Sequence, residues 1–97
     1  MTRKKPTLTE IEHYDYRFIS DPGHGWLEVP FSFLEVLGIH DQITTYSYRN
    51  GPLTYLEEDC DLSTFMRQFR EQFGKSINYT DEYQENTFVR NLNYYQY

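Results

Sequence analysis

LTYLEEDCDLSTFMRQFREQFG, residues 53–74, carries two periodicities and the change between them. Leu53 to Glu57 is a short apolar and β-favouring run with the composition of a strand. From Leu62 onward the apolar side chains recur as Leu62, Phe65, Met66, Phe69 and Phe73, in steps of three, one, three and four, which places all five on one face of a helix over about 62–73. Asp61 or Ser63 is the expected N-terminal cap, and Gly74 the residue just past the end. A strand followed directly by an amphipathic aromatic helix requires a sheet with that helix laid across one face.

Upstream, Arg49, Asn50, Gly51 and Pro52 form a turn, because Asn-Gly readily takes positive backbone angles; Ile43 to Tyr48 is then expected as the hairpin partner of Leu53 to Glu57. Pro52 cannot donate a ladder bond, so the register is open. Nearer the N-terminus, Tyr14, Tyr16 and Phe18 alternate with His13, Asp15 and Arg17, the pattern of a half-buried strand. It ends at Ser20, Asp21, Pro22, Gly23, His24 and Gly25, a turn-forming cluster, and Trp26 to Val29 returns as a second strand. Pro30 and Gly38 bracket Phe33, Leu34 and Leu37, one or two turns of helix. Ser76 to Tyr97 is expected to add one more strand and then irregular chain. The expected class is α+β: an antiparallel sheet of about four to five strands, two hairpins plus a C-terminal strand, covered on one face by the aromatic-rich helix, with a second short helix. Residues 1–9 read as a loose basic arm and 10–97 as a single domain.

Ninety-seven residues supply one modest core and no separate cofactor domain. The core is aromatic: ten Tyr, seven Phe and one Trp are present, and no Ala. Ten tyrosine hydroxyls exceed what a small core can pair, so several rings belong at the surface, where an amphipathic ring suits partner contact. No window approaches 18 consecutive apolar residues, and neither a membrane span nor a secretion signal is expected. Cys60 is alone, which suits a reducing cytoplasm.

The search for chemistry is mostly negative. His13, His24, His40 and Cys60 match no zinc-ligand spacing, so no metal or cofactor is expected. The loop from Asp21 to Gly25 pairs no nucleophile with a base, and an enzyme centred on His24 with Asp21 or Glu28 is a remote rival to a binding protein. The acidic run around Cys60 should raise its thiol pKa.

Charge is the informative feature. The chain has 15 acidic and nine basic side chains, a net charge of −6; three cations lie at Arg3, Lys4 and Lys5, which leaves six against 15, or −9. Direct nucleic-acid binding is disfavoured by that balance, and a basic partner is favoured. Glu57, Glu58, Asp59 and Asp61 form the first cluster, and Asp81, Glu82 and Glu85 the second. Along a strand Glu57, Asp59 and Asp61 would stand about 6.8 Å apart, a sparser array than the phosphates of one DNA strand at about 3.4 Å, yet able to engage the same Lys and Arg side chains.

The segments DPGHGWLEVP (21–30) and YLEEDCDLSTF (55–65) resemble a group of small proteins carried by phages, prophages and plasmids, with the likeness extending over most of residues 14–92. Size and acidic balance are similar to those of phage-encoded anti-CRISPR proteins that mimic DNA against the type I-F surveillance complex. The resemblance implies an inhibitor, acting in the bacterial cytoplasm, that binds where target DNA would bind and catalyses nothing. It supplies no catalytic residue; the seven acids are nominated by clustering. The alternative expectation is a protein–protein adaptor or regulatory module of a mobile element, binding through exposed aromatics.

Overall fold

Gly25–Pro30 (β2) is the strand around which the molecule is built, buried along almost its whole length because both faces of the sheet are covered there. It pairs antiparallel with Tyr16–Ser20 (β1) on one side and Leu53–Glu57 (β4) on the other, in registers that set Ile19 opposite Trp26 and Trp26 opposite Glu57. A computed structural model describes residues 5–97 and completes the sheet with Tyr48–Asn50 (β3), Tyr79–Tyr83 (β5) and Asn93–Tyr94 (β6), in the order β5-β1-β2-β4-β3-β6. The helices are Leu8–Glu12 (α1), Phe31–Val36 (α2) and Asp61–Phe73 (α3), with a 3-10 helix at Phe88–Asn91. The class is α+β, as the pattern predicts.

Side-chain alternation along β2 sends Leu27 and Val29 to one face and Trp26 and Glu28 to the other. The first face carries the main core: Tyr16, Leu27, Val29 and Leu56 meet Phe65 and Phe69 of α3, with Ile11 of α1 and Phe33 and Leu34 of α2 closing the sides. Tyr16 packs edge-on against Phe65 and Phe69 at centroid distances of 5.6 and 6.2 Å, and its hydroxyl donates to the Ile11 carbonyl at 2.7 Å. A smaller cluster of Ile19, Trp26, Tyr55 and Val89 lies on the opposite face under the 3-10 helix.

Four expectations are corrected. The sheet is mixed, because β5 pairs parallel to β1. β4, α3 and β5 form a strand-helix-strand crossover: the helix runs back along the sheet, so the next strand repeats the direction of β4 and adds beyond β1. Ile43 to Ser47 is not a strand. Thr44 and Ser47 hydrogen-bond Asp61 instead of a ladder, Ile43 drops into the core, and the partner strand is only Tyr48–Asn50. Asn50 pairs with Leu53, so Gly51 and Pro52 alone make the turn; Gly51 supplies the positive φ of 59° and the proline ring fixes the next φ negative, the order of a type II′ hairpin. Finally, the basic arm does not run to residue 9. Thr7 caps α1 by accepting from Glu10 N at 3.1 Å while Glu10 accepts from Thr7 N, a capping box. Arg3 and Lys4 of that arm lie outside the described residues. No helix among the described residues is long and apolar enough to cross a membrane.

Candidate functional site

An acidic end of the sheet forms where four strands begin or stop. β1 ends at Ser20 and β2 starts at Gly25; β4 ends at Glu57, opposite Trp26; β5 ends at Tyr83, opposite Ser20. Two backbone bonds lock the connecting segments together, Glu58 N to Gly25 O at 2.9 Å and Gln84 N to Ser20 O at 2.8 Å. The two segments singled out by resemblance, 21–30 and 55–65, are therefore adjacent.

The β1–β2 turn is held by Asp21. Its Oδ1 accepts from Gly23 N at 2.9 Å and His24 N at 2.8 Å, and Arg90 binds the carboxylate with two guanidinium nitrogens while lying 5.3 Å over the Trp26 ring. The Arg90 hydrogen bond, helped by the two backbone N–H groups, holds the Asp21 carboxyl well below the ordinary carboxylate range. Gly25 is demanded by close approach: a Cβ there would stand 2.3 Å from the Phe18 ring.

The β4–α3 turn projects the first acidic cluster. Cys60 N donates to Glu57 O at 3.3 Å, and Asp59 N donates to Glu57 Oε2 at 2.8 Å, so the Glu57 side chain closes the turn that follows it. Glu57 is only 6% exposed. Its Oε1 lies 3.5 Å from His24 Nδ1, and donor atoms of His24, Glu57 and Asp59 all fall within 4.8 Å of one another. Desolvation and then the Glu57 carboxylate push the Cys60 thiol pKa up, with smaller contributions from Asp61 and Asp59, the direction expected from the acidic run.

The nominated acids do not form one strand-spaced array. β4 stops at Glu57 and the chain turns into α3, which removes the expected spacing of Glu57, Asp59 and Asp61. Asp61 is 2% exposed and points inward, accepting from Thr44 N at 3.0 Å, Thr44 Oγ1 at 2.8 Å and the Ser47 hydroxyl. It staples the 44–47 loop to α3 and caps nothing; the cap position is Cys60, and Ser63 donates back to the Cys60 carbonyl. Glu82 is paired with Arg17 Nη1 at 3.1 Å. Glu58, Asp59, Asp81 and Glu85 are exposed. Glu58 and Asp81 both line a groove of about 240 Å³ between the sheet and α3, together with Phe18, Leu27, Leu62, Met66 and Ile77. Tyr79 and Tyr83 project from β5 on the same side as Asp81, and the Tyr83 hydroxyl donates to Glu85 at 2.8 Å.

Sequence reasoning overlooked the meeting of His24 with Glu57 and Asp59, which the pairing of β2 with β4 brings about. It also overlooked a polar chain on the opposite face, where Arg17 Nη2 reaches Glu28 at 2.8 Å and the Tyr55 hydroxyl donates to the same Glu28 oxygen at 2.9 Å. Alternating charged residues on two neighbouring strands were its only signal. Glu28 is engaged by Arg17 and Tyr55, and Asp21 by Arg90 and the backbone N–H groups of Gly23 and His24; the carboxylate 3.5 Å from the His24 ring is that of Glu57. No protein family, curated protein sequence or solved structure shows significant similarity to this chain.

Proposed function

We propose that the protein acts by binding, not catalysis, and that its acidic sheet end docks on a basic partner surface that otherwise holds nucleic acid. The carrying observation is that Glu58 and Asp81, one from each sequence cluster, line one groove between the sheet and α3, while Asp59 and Glu85 are exposed in the turns that follow β4 and β5. None of the four has a Lys or Arg within ion-pair distance among the described residues; Arg90 pairs with Asp21, Arg17 with Glu28 and Glu82, and Lys75 with Glu12. Exposed Tyr79 and Tyr83 add amphipathic contact area beside these charges. The resemblance to mobile-element proteins makes the DNA channel of a CRISPR–Cas surveillance complex the first partner to test.

In that test, purified protein is titrated into the complex and target DNA binding is followed by gel shift. Saturating protein should abolish the shifted band, and the charge-reversed Glu58→Lys, Asp59→Lys, Asp81→Lys variant should inhibit at least about tenfold less while keeping its circular dichroism, because lost interfacial charge pairs cost on the order of a kcal/mol or more each. DNA binding untouched at saturation rejects this partner. A second reading, an adaptor that binds through aromatics, draws on exposed Tyr46, Tyr94 and Tyr97 near the other edge of the sheet, with Tyr94 stacked on Tyr48 at 5.7 Å. Partner binding abolished by Tyr94→Ala and insensitive to the charge reversal would select it.

A further inference from the structure

His24, Glu57 and Asp59 combine one imidazole and two carboxylates, a mixed nitrogen and oxygen donor set, with all donor atoms within 4.8 Å of one another. Zinc bonds of about 2.0–2.2 Å put two ligands of one tetrahedral ion roughly 3.4 Å apart. His24 Nδ1 and Glu57 Oε1 already stand at 3.5 Å. Asp59 is exposed and free to close the remaining gap by a side-chain rotation. The burial of Glu57 points the same way. The Glu57 side chain is only 8% exposed; its Oε2 accepts from Asp59 N at 2.8 Å and its Oε1 faces the His24 ring, while no Lys or Arg lies within ion-pair distance of it or of Asp59 among the described residues. Buried carboxylates ordinarily are paired with cations or coordinate metals. The half-exposed His24 leaves the cluster open to solvent on one side, which gives an ion its entry path.

We propose that His24, Glu57 and Asp59 bind a first-row divalent cation of the zinc class, held by one imidazole nitrogen and two carboxylates with its remaining position filled by solvent. Imidazole favours zinc over the hard cations, and magnesium or calcium would want oxygen donors alone. The site shares Asp59 with the proposed docking surface but needs only the β2–β4 register and the two turns, and metal binding is measured without any partner.

Calorimetry of the full chain with zinc chloride tests it. One saturable site is expected, and zinc at a hundredfold excess over Kd should raise Tm by about 10 °C for a domain of this size. His24→Ala and Asp59→Asn, both exposed and outside the core, should each weaken binding at least tenfold with unchanged circular dichroism. Cys60→Ser should bind as wild type. Absence of saturable binding to the wild-type chain overturns the site, as does undiminished affinity in both folded variants, or loss of binding in folded Cys60→Ser, which would give the ion to the thiol.

Discussion

Asp21 shows how one side chain can set a turn. It accepts two backbone N–H groups of its own loop and ties that loop to Arg90 on the 3-10 helix, which itself rests on Trp26. Its carboxyl is held below its unfolded value, so the stabilisation is fully present above about pH 4 and is lost as pH falls through the folded pKa. Asp21→Asn should therefore lower stability at pH 7, and the gap between variant and wild type should narrow steadily from about pH 4 downward. Urea denaturation across that range measures it; a gap that stays constant down to pH 2 would contradict the assignment. Asp61 makes the complementary point. Its type and position suggested a helix cap or a surface anion, and only the fold shows that Thr44 and Ser47 are its partners. Sequence reports that a carboxylate is present; burial and partners come from residues that no local period connects.

The elements separate by how local their causes are. α3 was legible nearly residue for residue, because a 3.6-residue period is written within the helix itself, and its terminating Gly74 adopts the left-handed φ of 71°. Its Phe69 is wholly buried between Tyr16, Phe65 and Phe73, so Phe69→Ala should cost about 3–5 kcal/mol in equilibrium unfolding. A loss under about 1 kcal/mol would mean the core can collapse around the gap. β1, β2 and β4 were legible from alternation and turn chemistry, although β1 starts at Tyr16 instead of Tyr14, whose backbone carbonyl accepts the Tyr16 N–H in a tight turn. β3 was misplaced because the polar side chains of 44–47 found a tertiary partner that outcompetes a ladder. The direction of β5 was hidden because alternation is the same in parallel and antiparallel strands. The capping box of α1 was written locally as Thr7 and Glu10 and was overlooked beside the basic residues before it. Of the candidate site, clustering of acids was legible, and the loss of Glu57, Asp61 and Glu82 to burial or pairing was not.

Across the whole molecule, 34 × 32 × 22 Å, the uneven placement of charge matters more than its sum. At about 0.01 M salt the screening length is about 30 Å and the entire anionic body steers toward a basic surface; at about 1 M it is about 3 Å and only touching pairs remain. Association with a basic partner should therefore slow about tenfold or more between low and high salt while dissociation changes less, as stopped-flow mixing would record. An association rate indifferent to salt would shift weight to the aromatic adaptor reading. The same scale governs assembly of the fold. β1 and β5 are neighbours in the sheet yet belong to opposite ends of the chain, joined only after α3 has crossed two strands. During translation the outer margin of β1 must wait unsealed until residue 83 leaves the ribosome, so the sheet closes late, and the nascent intermediate offers a hydrogen-bonding border that a chaperone, or a second nascent copy, is able to occupy first.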